Sequence, residues 1–334
     1  DELRVGNNGA GTLRINGGAV TNTLGSIGYN AGSTGAVTVT GGTWANSTFF
    51  SVGSSGNGIL NLDGGAVTDL MGMVGFMAGS TGTATVTSGT WNNTLSLTVG
   101  NEGSGTLNLN GGLVLNFTGY IGREAGSNGT ATVTGGEWYT VGGFYLGNSG
   151  TGSLNLNGGN VTITGALTVA SGSGSVGTLN LGNGATAGTL EVSAIQGGAG
   201  TATVNINQSG HYTFAPSMSG TLRFNATGSG TTTLTGTNIY AGTATISGGK
   251  VIVQGALSAS GTTTVKDGGI LSGTGTVGPV TIAAAGVVSP GNSPGILNVG
   301  DATFQNGGSL VLELMRRGPR GETSTNWPST APWT

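Results

Sequence analysis

"SLTVGNEGSGTLNLNGGLV", residues 96–114, contains no obvious catalyst, yet the chain says nearly the same thing three times. "FSVGSSGNGILNLDGGAV" precedes it at 50–67 and "FYLGNSGTGSLNLNGGNV" follows at 144–161. The Val-Gly or Leu-Gly anchors Val5-Gly6, Val52-Gly53, Val99-Gly100 and Leu146-Gly147 are each 47 residues apart. The pairs Gly17-Gly18, Gly64-Gly65, Gly111-Gly112 and Gly158-Gly159 keep the same step, as do Trp44, Trp91 and Trp138. Anchors in such register mark a repeat protein.

The 47-residue unit divides again. Ile27-Gly28, Val74-Gly75 and Ile121-Gly122 each fall just short of midway between one anchor and the next, leaving a shorter half and a slightly longer one. One half carries "GTLNLNGG" and the other "GTATVTGG". Aligned, Ala84 faces Leu107 and Val86 faces Leu109, while polar Thr85 and Thr87 face Asn108 and Asn110. Apolar and polar positions alternate, which is the period of a strand. Short strands, Gly-bounded turns and no helical pattern suit one coil of a parallel β-helix. A lone coil buries too little apolar surface to offset the ordering of its backbone, so stability belongs to the stack. The predicted fold class is therefore all-β: a β-solenoid of about 14 coils in a single elongated domain, at about 4.8 Å per coil.

Composition bounds the function. The 72 glycines and 6% charged residues would suit a flexible linker. The 35% hydrophobic content, set in alternating runs, argues against it. Net charge is −3 and the nine Lys and Arg are scattered, so nucleic acid is not an expected partner. No run of 18 apolar residues predicts a membrane-spanning helix. The absence of Cys excludes disulfides and thiolate chemistry. Residues 1–25 show no signal-peptide pattern, and Leu3-Arg4-Val5-Gly6 already lies in register with Leu97-Thr98-Val99-Gly100. The expectation is a segment excerpted from a longer solenoid.

Four regions follow: regular two-coil repeats over 1–160, irregular coils over 161–267, a distinct segment at 268–314, and a tail at 315–334. The tail, "MRRGPRGETSTNWPSTAPWT", changes style abruptly and is expected to be disordered or out of frame.

The segment at 268–314 resembles the passenger-associated transport repeat of autotransporter proteins, also called the autotransporter-associated β-strand repeat. The residues that carry the resemblance are Gly273-Thr274-Gly275-Thr276-Val277, Ser289-Pro290-Gly291-Asn292-Ser293-Pro294-Gly295 and Leu310–Leu314. The resemblance implies a right-handed β-helix passenger exported across a Gram-negative outer membrane, with a parent chain linked to an outer-membrane β-barrel. Such passengers serve as adhesins or surface stalks. The implied partners are host or matrix glycans or proteins, with no cofactor.

The candidate sites each have a plainer reading beside them. Trp44, Trp91 and Trp138 align with Val67, Val114 and Val161, an alternation of large and small that suits a packed interior. An exposed sugar-stacking ladder is the other reading. Thr85, Thr87, Asn108 and Asn110 belong to polar rows that either bond between coils or present a surface to glycan or ice. Glu102 and Glu124, with Arg123 beside them, form the one adjacent acidic pair. Stacked carboxylates about 5 Å apart would match a retaining glycosidase. The alternative to a stalk or adhesin is thus a carbohydrate-active enzyme or glycan-binding protein using Glu102 and Glu124, and a further one is an ice-binding Thr face. His211 is the only histidine, which excludes a His-based triad or metal cluster. "GSGSVG" at 172–177 matches a dinucleotide fingerprint but precedes no helical pattern. Asp63 stands alone in a row of Asn16, Asn110 and Asn157, which does not make a calcium repeat.

Overall fold

The structure, a computed structural model, describes residues 1–257, 261–291, 295–317 and 323–329. Among the described residues there is no helix, and the parallel strands stack as a β-solenoid of about 13 turns. Where the sequence suggests one domain, the coils group into two compact units. The first comprises Asp1–Gly182 and Ala187–Thr203, the second Asn183–Thr186 and Val204–Thr334.

In the first unit each coil has three strands. Asn128–Val133, Glu137–Thr140 and Phe144–Leu146 make one such set. In earlier coils the corners are tight enough that the backbone runs through them, as in Thr34–Val52 and Thr81–Val99. The strands pair in parallel from coil to coil, and those inside the stack are paired on both sides. Leu107 partners both Ala84 and Ala131, and Asn108 partners both Thr85 and Thr132, the alignment expected from the repeat. Trp91 sits between Val67 and Val114, and Trp138 between Val114 and Val161.

Inward positions are filled in rows. Leu60, Leu62, Ala84, Val86, Leu107 and Leu109 line the first strand and are all fully buried. Trp44, Trp91 and Trp138 are likewise fully buried, which places the Trp row in the core. A third row alternates nothing with something: Gly25, Phe50, Gly72, Leu97, Gly119, Phe144. A Cβ on Gly119 would lie 2.5 Å from the Phe144 ring, and one on Gly72 would lie 2.0 Å from Asn93 Oδ1. The glycine coils therefore leave room for the side chains of their neighbours. The rings so accommodated meet the Trp row edge to face, Trp44 with Phe50 at 4.8 Å and Trp138 with Phe144 at 5.1 Å. As far as Phe144 the coils thus alternate between a bulky set of side chains and a slim one, and this alternation makes the period two coils; beyond it the row continues as Leu167 and Ile195 with no glycine between.

The unequal coil lengths have a local origin. The turn after the third strand has six residues in one coil, as in 28–33, and four in the next, as in 53–56. One further residue enters at the corner before the third strand, where the pairing shifts between Asn22 and Leu24. The Gly that opens each turn has positive φ, 73° at Gly53 and 74° at Gly100. A Cβ on Gly53 would lie 2.3 Å from Thr81 O, so both backbone shape and space require glycine there. At the corresponding point of a later coil Ala170 takes the same conformation, with φ 55°.

The second unit keeps three strands per coil but shortens them. Its inward row Ala226, Ile246, Val265 and Ile282, which ends in register with the exposed Phe304, advances by unequal steps, the shortest from Val265 to Ile282 and the longest from Ile282 to Phe304. Phe214, Leu234 and Val253 fill a second row and Leu257 and Val277 a third. Asn238 is fully buried in that third row. Its Nδ2 donates to Gly236 O and Ala256 O at 3.1 and 2.9 Å, and its Oδ1 accepts from Met218 N at 3.1 Å. Within the transport-repeat phrase, Thr276–Val277 and Val287–Pro290 are strands, while residues 292–294 lie outside the described residues. Leu312–Arg317, which runs from that segment into the tail, and Thr323–Ser329 pair antiparallel. Residues 318–322 and 330–334, and the expectation attached to them, lie outside the described residues.

Candidate functional site

The outward row of the first strand is the polar surface named in the sequence. Thr87 and Asn110 are exposed, Thr85 and Asn108 half-buried. Many of these side chains bond to the adjacent coil. Thr40 Oγ1 donates to Asn16 Oδ1 at 2.9 Å, Thr87 Oγ1 to Asp63 Oδ1 at 2.6 Å, and Thr134 Oγ1 to Asn110 Oδ1 at 2.8 Å. Further along, Asn180 Nδ2 donates to Asn155 Oδ1 at 2.8 Å. Asp63, isolated in its row, serves as the acceptor for Thr87. Each of these bonds joins two coils, the three Thr bonds at one position of the repeat, which is the sheet-face pairing expected for short polar side chains.

The acidic pair lies on the turns after the third strand. Glu102 and Glu124 occupy neighbouring turns, with Glu124 N–H donating to Asn101 O at 2.9 Å. Both carboxylates are exposed. Arg123 pairs with Glu124 at 3.3 Å and its guanidinium lies over the Tyr120 ring, 4.9 Å from its centre. Tyr120 in turn stacks on Tyr145, the centroids 5.0 Å apart and the planes 11° from parallel. Local sequence pattern does not mark this Tyr pair. Its signal is the third-strand register, in which Tyr120 and Tyr145 are direct partners on successive coils. A groove of about 290 Å³ opens earlier in this unit, among Leu24, Tyr29, Phe49, Phe76 and Met77. Neither glutamate lines it. His211 is exposed at the start of His211–Phe214 in the second unit. Among the described residues no three of His, Asp and Glu gather as metal ligands, and no helix is long and apolar enough to cross a membrane.

A polar row inside the first unit is the main feature that sequence reasoning missed. Two residues beyond the Val and Trp positions, and hence also facing inward, stand Asn22, Asn46, Asp69, Asn93, Asn116 and Thr140. All but Asn22 are buried. The indole N–H of each Trp reaches one coil back to this row: Trp44 to Asn22 Oδ1 at 2.8 Å, Trp91 to Asp69 Oδ2 at 2.9 Å, Trp138 to Asn116 Oδ1 at 2.6 Å. Each indole thus finds the partner that a buried Trp requires. A signal exists in the chain, since Asn22, Asp69 and Asn116 keep the full repeat step, as do Asn46, Asn93 and Thr140. Burial pushes the Asp69 carboxyl up to about 8, against the opposing pull of the Trp91 hydrogen bond.

No protein-family model, curated protein or solved structure matches this chain.

Proposed function

We propose that the chain is a non-enzymatic passenger segment, displayed at a cell surface or released from it, that acts as a stalk or adhesin. The observation that carries this reading is the set of coil-to-coil bonds Thr40–Asn16, Thr87–Asp63 and Thr134–Asn110. The repeated phrase works on its own neighbours: leucines and tryptophans shelter the adjacent coil, and the outer polar row ties it down. Such a stack holds a distal surface or partner at a fixed place. The resemblance of 268–314 to the transport repeat supports export across a Gram-negative outer membrane and a parent chain linked to a β-barrel. The test is the coding sequence downstream together with protease shaving of intact cells. A barrel-coding region and cleavage of the passenger from outside uphold the reading; a different anchor and full protection overturn it.

A second reading, glycan binding or turnover, draws on the Tyr120–Tyr145 stack beside Arg123 and Glu124. Flat aromatic faces next to charged groups suit sugar rings. Glycan-array binding lost in Tyr120→Ala with Tyr145→Ala would favour a lectin. Polysaccharide turnover lost in Glu102→Gln with Glu124→Gln would favour an enzyme. An ice-binding face draws less support, because Thr85 and Thr132 flank Asn108 rather than another Thr.

A further inference from the structure

The interior polar row follows one rule at two of its steps and breaks it at the third. In the first, Asn22 accepts the Trp44 indole with Oδ1 and donates its Nδ2 to Asn46 Oδ1 in the next coil, at 2.5 Å. In the last, Asn116 accepts from Trp138 with Oδ1 and donates its Nδ2 to Thr140 Oγ1 at 3.1 Å. The middle step has Asp69 where the others have Asn. Asp69 Oδ2 takes the Trp91 indole, and Oδ1 occupies the role of the amide nitrogen. Its register partner is Asn93.

Asn93 cannot supply the missing donor. Its Nδ2 donates to Leu115 O at 3.2 Å, which leaves Oδ1 for the Asp69 side. Asn46 is oriented the same way, its Nδ2 directed at Thr68 O at 3.5 Å. The result is two buried oxygens, Asp69 Oδ1 and Asn93 Oδ1, with no donor for either. Buried acceptors left in this state are costly, and a charged one more so. A proton on Asp69 Oδ1 would supply the donor that both oxygens lack.

We propose that Asp69 is a neutral carboxylic acid in the folded chain, its Oδ1–H donating to Asn93 Oδ1, and that this bond is a proton-dependent latch between two coils. Asp69 has 3% of its surface exposed and is the only acidic or basic residue buried among the described ones. The flanking strands Thr34–Val52 and Thr81–Val99 carry no titratable residue at all. Its own strand, Asn57–Val74, adds only Asp63, which is exposed and bonded to Thr87. No positive charge therefore stands by to stabilise the ionised form, consistent with a carboxyl raised to about 8 by burial. The sign follows. Between the ordinary value of 3.8 and about 8 the folded chain holds a proton that the unfolded chain has lost. This latch therefore strengthens the fold most in acid, weakens as the pH rises through that window, and changes no further above it.

The test compares wild type with Asp69→Asn, whose amide would donate at every pH as Asn22 does. Melting temperatures measured from pH 4 to 9 should coincide at the acid end and separate as the pH rises, Asp69→Asn becoming the more stable by several degrees. Parallel profiles for the two chains would overturn the proposal. Infrared spectroscopy of the folded wild type at pH 6 gives a reading that does not depend on the variant folding. A carbonyl band of a protonated carboxylic acid, absent at pH 10, is expected. Its absence at pH 6, as when a bridging water serves an ionised Asp69, would also overturn the proposal.

Discussion

The two compact units solve one problem with different strictness. Both wind three short strands per coil and fill the inside with aliphatic rows. In the first, Gly72, Val67 and Asp69 of a slim coil meet Leu97, Trp91 and Asn93 of a bulky one, and each set fits only the other. In the second, the uneven advance from Ala226 through Val265 to Phe304 shows no such partnership. Its buried Asn238 illustrates the contrast. That side chain satisfies both ends on backbone groups and needs nothing from a repeated neighbour. Fixed period is thus not a requirement of the solenoid. It is the consequence of side chains that interlock between coils, and it relaxes where backbone groups and small aliphatics suffice.

Six substitutions at five positions probe that contrast. The most damaging should be Gly72→Leu, which places in a slim coil what Leu97 supplies in a bulky one. Its Cβ alone would lie 2.0 Å from Asn93 Oδ1. Loss of the cooperative melt followed by circular dichroism is the expected outcome, while Leu97→Met should melt nearly as wild type. Next comes Trp91→Ala, expected to cost about 3–5 kcal/mol for the cavity in urea titrations. Trp91→Phe keeps most of the volume and should cost less, about 1–3 kcal/mol, for the donor withdrawn from Asp69. In the second unit Asn238→Ala strands Met218 N–H and Ala256 O. A cost of about 2–3 kcal/mol is expected, with faster hydrogen exchange at Met218 N–H and little change around Trp91. Spread of the effect to the Trp row would mean that the units are not separately organised. The smallest effect is a gain. Ala170 holds a left-handed conformation that its counterparts Gly100 and Gly147 assume without penalty. Ala170→Gly should add up to about 1 kcal/mol, read as a small rise in the urea midpoint.

Much of this is legible in the chain itself, and the exceptions share a cause. Leu107, Leu109 and the Trp–Val row announce their side of the sheet because apolar type and period agree. Asn46 and Asp69 sit at the same inward period, two residues beyond Trp44 and Val67, but polar type argues for the outside. Only the indole that reaches back to this row explains the burial, and a donor–acceptor pair on different coils leaves no mark in local pattern. Ser26, Ser51 and Thr98 mislead in the same direction. They alternate outward on the third strand yet are buried. Gly25, Gly72 and Gly119 carry no side chain to announce a side of the sheet, and their work is to be absent from space claimed by Phe50, Leu97 and Phe144. The Thr and Asn rows of the first strand give their outward side correctly. Their bonds to adjacent coils follow from spacing, while Tyr120 on Tyr145 does not, because unequal turns hide the longer step between them.

The alternation of slim and bulky coils also constrains how such a chain can lengthen or shrink over generations. Removing or duplicating a single coil would set Trp44 beside Trp91, or one vacant glycine layer beside another. Viable changes of length in the regular repeats up to Phe144 therefore come in whole pairs, and an in-frame duplication of one complete two-coil unit is the smallest step that leaves every interior neighbour there unchanged.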